Sequence, residues 1–492
     1  MSRSTLSAFA LATLLVASLV LFYTSAGKYS LSVDLTSDLD RSKAFKVHSL
    51  GSGSGAKDEF EQQEETAGQD LSFERCYANF VEGNEGSEEP VLSSSSVLVH
   101  RARPGSMQYN HMAMIERIHN GSLALAWQTS SGIEGVSDQT IVLSVSTDET
   151  GRSWNRPRMI PVERKGPLWA PVLHYDDHGG RRRLVLFYAE SSGCIIHKGG
   201  VKRYSPGGDV KSTFWDLEEE EESNTDADFV WSPPQLVHAQ KKGDGLPKVL
   251  ANKMIELRTG EWVLPMWSEK HGGGVCQKSK EKGSAGVLVS SDKGATWERR
   301  GKLQASDTWL IENTVVEMNG VVGSMLMLFR TKKGFIYASE TSDGGYTWSQ
   351  PTKTEHENPD SKIHALRLSD KALALAYNNH KKFLKPQRKG CRTNLDLALS
   401  LDDGQSWKTL ARLERKIDAG LRSHYPTLYY SREHCRLHVA YTKFYHESVQ
   451  YKSKWELFQQ QSDSDTSPPQ QQQGPPNAPV LGVFVASFDF SI

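Results

Sequence analysis

Short apolar stretches alternate with polar turns through most of this chain, and four of the turns repeat one arrangement. An apolar run at 141–145 leads into Asp148, Gly151 and Trp154, and another at 395–399 leads into Asp402, Gly404 and Trp407. Between them, Asp292, Gly294 and Trp297, then Asp343, Gly345 and Trp348, follow the same order. Each reads as a hairpin turn. The Asp side chain accepts backbone N–H groups, Gly supplies a positive φ, and the Trp packs beneath the loop.

A strand-turn-strand unit that recurs implies stacked or radial sheets. The last three Trp positions are 51 and 59 residues apart, an interval that suits one four-stranded blade each. The gap of 143 before them leaves room for blades whose turns have lost the pattern. The expected fold is all-β, a β-propeller of six blades. Residues 480–490 alternate and are aromatic and β-branched, so they are expected to close the last blade. The Gln/Pro/Ser-rich tract before them, 459–479, cannot bury a core and is expected to be a disordered loop. The acidic run at 218–228 reads as a solvated loop.

Composition narrows the function classes. A formal net charge of −1 over 492 residues gives no bulk electrostatic case for nucleic acid. The five cysteines, Cys76, Cys194, Cys276, Cys391 and Cys435, lack metal-ligand spacing, so no metal or cofactor is expected. In an oxidising lumen up to two pairs could form, with one thiol left over. An apolar run at 8–23 follows Arg3 and precedes small residues at 24–26, as in a signal peptide or an uncleaved signal anchor. Segment 28–95 is rich in Ser, Gly, Glu and Gln and reads as a flexible stem, which favours the anchor. The organisation expected is therefore 1–27 signal or anchor, 28–95 stem and 96–492 propeller. The compartment would be the secretory pathway, either as a type II single-pass protein of the Golgi or endomembranes or as a secreted one. Asn120 heads a glycosylation sequon.

The four turns resemble the Asp-box, or BNR repeat, of the sialidase (neuraminidase) superfamily, in which they lie on outer turns away from the active site. The resemblance runs from about 108 to 441, plus the final strand, and includes an order of residues that carries chemistry. Glu312 heads an apolar stretch and Arg330 ends the next one; Arg392 precedes the fourth box; Tyr425 follows in Ser423-His424-Tyr425-Pro426-Thr427. That is the family's order of Glu, Arg, Arg, Tyr. It implies a six-bladed sialidase-type propeller with Tyr425 as nucleophile, Glu312 as its base, and Arg330 with Arg392 gripping a substrate carboxylate. A sugar with a carboxylate on its anomeric carbon repels a carboxylate nucleophile, whereas a neutral Tyr hydroxyl can approach and ionise as it attacks. Two planar guanidiniums suit the substrate's acid group as Lys cannot.

The N-terminal half departs from the pattern. Where the superfamily opens with Tyr-Arg-Ile-Pro, this chain has Tyr109-Asn110-His111-Met112, so the first clamp Arg is missing. Asn110 or His111 is then expected to complete the clamp, with Lys253 and His364 the nearest candidate cations. The stretch 132–141 resembles the Glu-Gly-x-x-Asp loop of a bacterial branch, and either Glu134 or Asp138 is expected as general acid. Asn379 is a further candidate for substrate contact. Asp148, Asp292, Asp343 and Asp402 are expected to be structural. Two functions from different classes follow from these residues. One is a retaining exo-glycosidase acting on a terminal acidic sugar of a glycan or glycoconjugate; the alternative is a catalytically silent glycan-binding propeller. A scaffold propeller with no sugar site is the third possibility.

Overall fold

The computed structural model describes residues 73–78, 80–81, 93–103, 107–118, 121–198, 201–217, 229–269, 281–383, 390–445 and 480–490. The apolar run at 8–23, the sequon's Asn120 and the tracts at 218–228 and 459–479 lie outside them. Among the described residues no helix is long and apolar enough to cross a membrane.

Among the described residues six antiparallel sheets of four or five strands follow one another along the chain, with a two-stranded ribbon of Ile195–Lys198 and Val201–Tyr204 besides. The first blade is Tyr109–Arg117, Leu123–Ser130, Thr140–Val145 and Arg158–Met159; the second is Leu168–Asp176, Arg183–Glu190, Asp209–Asp216 and Gln235–His238. The third joins Lys248–Leu250, Trp262–Ser268, Ser284–Ser290 and Glu298–Leu303, with Ile255–Glu256 pairing beside them. The fourth is Ile311–Glu317, Met325–Arg330, Phe335–Thr341 and Thr352–Glu357, and the fifth is His364–Arg367, Leu373–Asn378, Leu395–Ser400 and Lys408–Glu414. Around the ring, the first strand of each blade touches its neighbours, which puts first strands at the centre. Second strands such as Leu373–Asn378 are buried at every position, because each blade packs on both of its neighbours. This is the six-bladed propeller expected.

Its closure differs from expectation. In the sixth blade Leu421–Ser431 and Arg436–Tyr445 are followed by Gly482–Asp489 as the third strand, and the fourth is Ser93–Arg101 from the other end of the fold. Ser93 pairs with Asp489 and Arg101 with Gly482, so an N-terminal strand closes the ring by backbone hydrogen bonds. The expected stem therefore contains folded pieces. A helical segment at 73–78 buries Phe73, and Cys76 is bonded to Cys435. Cys194 is disulfide-bonded as well.

The four boxes sit between the third and fourth strands of blades one, three, four and five, with only the second blade inside the long gap. Asp148 accepts from the backbone N–H of Thr150 and Ser153, both at 2.8 Å; Asp292, Asp343 and Asp402 accept from those of Thr296, Thr347 and Ser406 at 2.8, 3.0 and 2.8 Å. In every box the indole N–H donates back to the turn glycine's carbonyl, from 2.7 Å at Trp348 to 3.1 Å at Trp407. Those glycines, Gly151, Gly294, Gly345 and Gly404, have φ between 69° and 91°.

Candidate active site

Four first strands share one irregularity. Between His111 and Met114, Trp169 and Val172, Ile311 and Thr314, and His424 and Thr427, one extra residue is inserted and the register shifts. Each bulge holds a non-glycine residue at positive φ: Met112 at 60°, Ala170 at 51°, Glu312 at 47° and Tyr425 at 59°. A bulge re-aims a side chain that the pleat would send elsewhere. All four residues line one central cavity of about 180 Å³, with Trp169, Trp267 and Trp309 on its apolar side. A second cavity of about 150 Å³ shares Glu134, Arg330 and Tyr425 with it and adds Tyr109, His111, Arg392, Arg422, Phe444 and Tyr445.

Tyr425 and Glu312 meet in this space although 113 residues separate them. The Tyr425 hydroxyl donates to Glu312 Oε1 at 2.5 Å and accepts from Arg330 Nη1 at 2.5 Å. The same Arg330 nitrogen lies 2.7 and 2.8 Å from the two Glu312 oxygens, while its Nε donates to Asp360 at 2.8 Å. Burial pushes the Tyr425 hydroxyl above its ordinary pKa; Arg330 pulls it back and the Glu312 charge pushes it up. Burial works against the Arg330 cation too, yet Glu312, Tyr425 and Asp360 hold its pKa well above the usual value. The hydroxyl is thus neutral at rest, with an acceptor for its proton and a cation beside its oxygen. A carboxylate acceptor and a guanidinium on one hydroxyl are groups that can take its proton and hold the charge left on its oxygen.

Arg392 and Arg422 are placed differently. Their backbones run side by side, Arg392 N–H donating to Leu421 O at 2.9 Å and Ser423 N–H to Arg392 O at 2.8 Å. Arg392 is buried and bonds His424 Nδ1 at 2.9 Å and the Asp360 carbonyl at 2.5 Å; Arg422 is partly buried and donates to the Gly390 carbonyl at 3.2 Å. Neither forms an ion pair among the described residues. Burial, then the neighbouring guanidinium, lowers both, Arg330 acting on Arg392 and Arg392 on Arg422, which falls to about 9. Two cations without an ion pair facing one cavity are costly unless an anion joins them. Arg422 went unrecognised in the sequence; with Arg330 and Arg392 it is one of three guanidiniums lining the second cavity.

The remaining candidates separate into groups. Glu134 lines both cavities and accepts from Gln128 Nε2 at 3.2 Å, and Tyr109 hydrogen-bonds to it. Asp138 is not brought to the cavities; it caps its own loop, accepting Ser131 N–H at 3.0 Å. Asn110 does not complete the clamp: its side chain donates to Met107 O at 2.7 Å and accepts from Trp127 Nε1 at 2.8 Å and Thr129 at 3.1 Å. His111 reaches the cavity, its ring 4.0 Å from that of Tyr425, but burial and then the Arg392 charge hold it well below the usual imidazole pKa. It is a neutral wall, not a cation. Lys253 pairs with Glu116 at 2.9 Å, His364 accepts Leu428 N–H at 3.0 Å, and Asn379 donates to Asp396 at 3.0 Å; none of the three lines either cavity. None of the four box Asp residues does so either. Among the described residues, no group of three or more His, Cys, Asp and Glu side chains could hold a metal ion.

Solved structures share the fold at low identity. A crystal structure of a protein of unknown function from Dyadobacter fermentans matches with TM-score 0.55 and 15% identity, over 81% of this chain and 100% of that one. Trypanosoma rangeli sialidase in complex with the inhibitor DANA matches with TM-score 0.53 and 14% identity, over 76% of this chain and 62% of that one. The same sialidase with 2,3-difluorosialic acid, titled a covalent intermediate, matches with TM-score 0.52 and 14% identity, over 79% and 64%. No curated protein matches the sequence. The sequence profile of the BNR repeat-like domain matches residues 121–439, most of the propeller. With its boxes on the outer turns and its first strands around a central pocket, the chain belongs to the BNR repeat-like family and has the sialidase-type six-bladed fold.

Proposed function

We propose that this protein is a retaining exo-glycosidase that hydrolyses a terminal acidic sugar from a glycan or glycoconjugate. The observation that carries the reading is the 2.5 Å contact between the Tyr425 hydroxyl and Glu312. In the first step the Tyr425 oxygen bonds to the anomeric carbon and gives its proton to Glu312, while the glycosidic C–O bond breaks and the leaving oxygen takes a proton from Glu134. In the second step water attacks the anomeric carbon, Glu134 takes its proton, and the Tyr425 oxygen leaves and recovers its proton from Glu312. The sugar's acid group docks on Arg392 and Arg422, which form no ion pair among the described residues, with Arg330 beside them.

The Cys76–Cys435 disulfide supports an oxidising compartment, in line with the secretory localisation and the N-terminal anchor or signal read from the sequence. The test is a screen of the secreted or luminal protein against fluorogenic acidic glycosides at about pH 4 to 7, with Tyr425→Phe as control. Turnover should fall by orders of magnitude in the variant while acidic-sugar binding persists. Binding of acidic sugars without turnover by the wild type would put the silent glycan-binding reading in its place.

A further inference from the structure

A buried lysine stands behind the strand that carries Tyr425. Lys362 is 1% exposed and forms no ion pair among the described residues. Its Nζ donates to the Pro426 carbonyl at 2.5 Å and to Thr427 Oγ1 at 3.1 Å. The Thr427 hydroxyl in turn donates to the Ala113 carbonyl at 2.8 Å, inside the first-blade bulge, and Leu428 N–H donates to His364 at 3.0 Å. Two residues earlier, Asp360 holds Arg330 through its carboxylate and Arg392 through its carbonyl. Segment 360–364 thus grips both the two arginines and the backbone that follows the nucleophile.

That backbone is strained. Tyr425 is a bulky residue at φ 59°, and it precedes Pro426, a combination that disfavours the helical regions. Such a conformation is costly for a bulky residue and persists only where its surroundings over-determine it. A buried cation is also an expensive way to satisfy one carbonyl and one hydroxyl. Burial lowers Lys362 to about 7 against the opposing pull of Glu312, the charged group facing it.

We propose that Lys362 is a positioning residue: by locking the Pro426 carbonyl and the Thr427 hydroxyl, it keeps Tyr425 in the left-handed conformation that aims its hydroxyl at Glu312. The proposal rests on the reading of Tyr425 as nucleophile and adds the element that prepares it. Its cost appears in stability. The unfolded lysine binds its proton up to an ordinary pKa of 10.5 and the folded one only to about 7, so below pH 7 the full penalty of the buried charge is present, and it is relieved as pH rises between the two values.

The test is Lys362→Met in the full chain, with Thr427→Val as a second, milder cut of the same contact. On the acidic glycoside that the wild type turns over best, Lys362→Met should lower kcat by about 10- to 100-fold with little change in KM. At about pH 6 it should melt no lower than the wild type, because a buried charge has been removed. Thr427→Val should lower kcat in the same direction by less. A crystal structure of Lys362→Met should show the Tyr425 backbone out of the left-handed region or its hydroxyl away from Glu312. Wild-type kcat in the folded variant, a change confined to KM, or an unmoved Tyr425 overturns the proposal. Absence of turnover by the wild type would count against the glycosidase reading instead, and the crystal structure then decides on Lys362.

Discussion

Arg422 and Tyr425 lie three residues apart on one strand, and in an alternating strand they would point to opposite faces. The bulge at Tyr425 removes that alternation locally, so both side chains reach the same cavity. A sequence pattern read at period two cannot show this, which is why Arg422 was missed while Glu312, Arg330, Arg392 and Tyr425 were legible from their order. Its role is testable by binding alone. Hydrogen bonds to a charged group contribute about 1.5–3 kcal/mol, so Arg422→Met should weaken an acidic monosaccharide by about 10- to 100-fold in calorimetry. Melting temperature should hold or rise, since the variant relieves repulsion from Arg392. Unchanged binding would mean that the acid group sits elsewhere. Asn110→Arg, which the family pattern suggests as a repair, should instead cost stability, because Asn110 holds Trp127, Thr129 and Met107 together.

At the scale of elements, two devices divide the labour. Bulges on the inner strands present chemistry, and boxes on the outer turns hold hairpins. The boxes were fully legible because Asp, Gly and Trp each perform a local task that leaves a mark in the sequence. The bulges were not, because Met112, Ala170, Glu312 and Tyr425 share no residue type, and only backbone geometry unites them. The same division separates the effects of mutation. Hydrogen bonds from Thr296, Thr347 and Ser406 hold Asp292, Asp343 and Asp402 down to about 2. A carboxylate lowered from 3.8 contributes stability that is present above about pH 4 and is lost as pH falls toward 2. Asp343→Asn should therefore lower the melting temperature at neutral pH and flatten its decline in acid. Turnover per folded molecule should match the wild type; a defect there would place the box in the reaction.

The whole ring depends on a strand that the sequence disguises. Ser93–Arg101 opens with four serines, three of them exposed where their side chains are described, and has no apolar alternation there to announce a strand. An outer strand needs only to offer its backbone to Gly482–Asp489, so composition drew the stem's boundary at 95, inside the strand that fastens the ring, and left its pairing unannounced. The aromatic anchor beside it follows the same logic. Phe73 stacks edge-on against Tyr430 and Phe490 at 5.5 and 5.6 Å, and Cys76 bonds to Cys435 across a separation of 359 residues. A crosslink over so long a loop restricts the unfolded chain, and native disulfides of this kind contribute about 2–5 kcal/mol. This segment is fastened to the sixth blade, the blade that also carries Arg422 and Tyr425 on its first strand, while the pocket itself is shared among several blades. Replacing Cys76 and Cys435 together by Ala should thus lower the melting temperature and make residues 93–101 exchange their amide protons faster, since the fastening strand loses its anchor. Binding of acidic sugar by the molecules that remain folded should stay at the wild-type level, because no atom of the crosslink reaches the cavity. Loss of binding ahead of unfolding would instead mean that ring closure sets the distance between Arg422 and the arginines of the fourth and fifth blades.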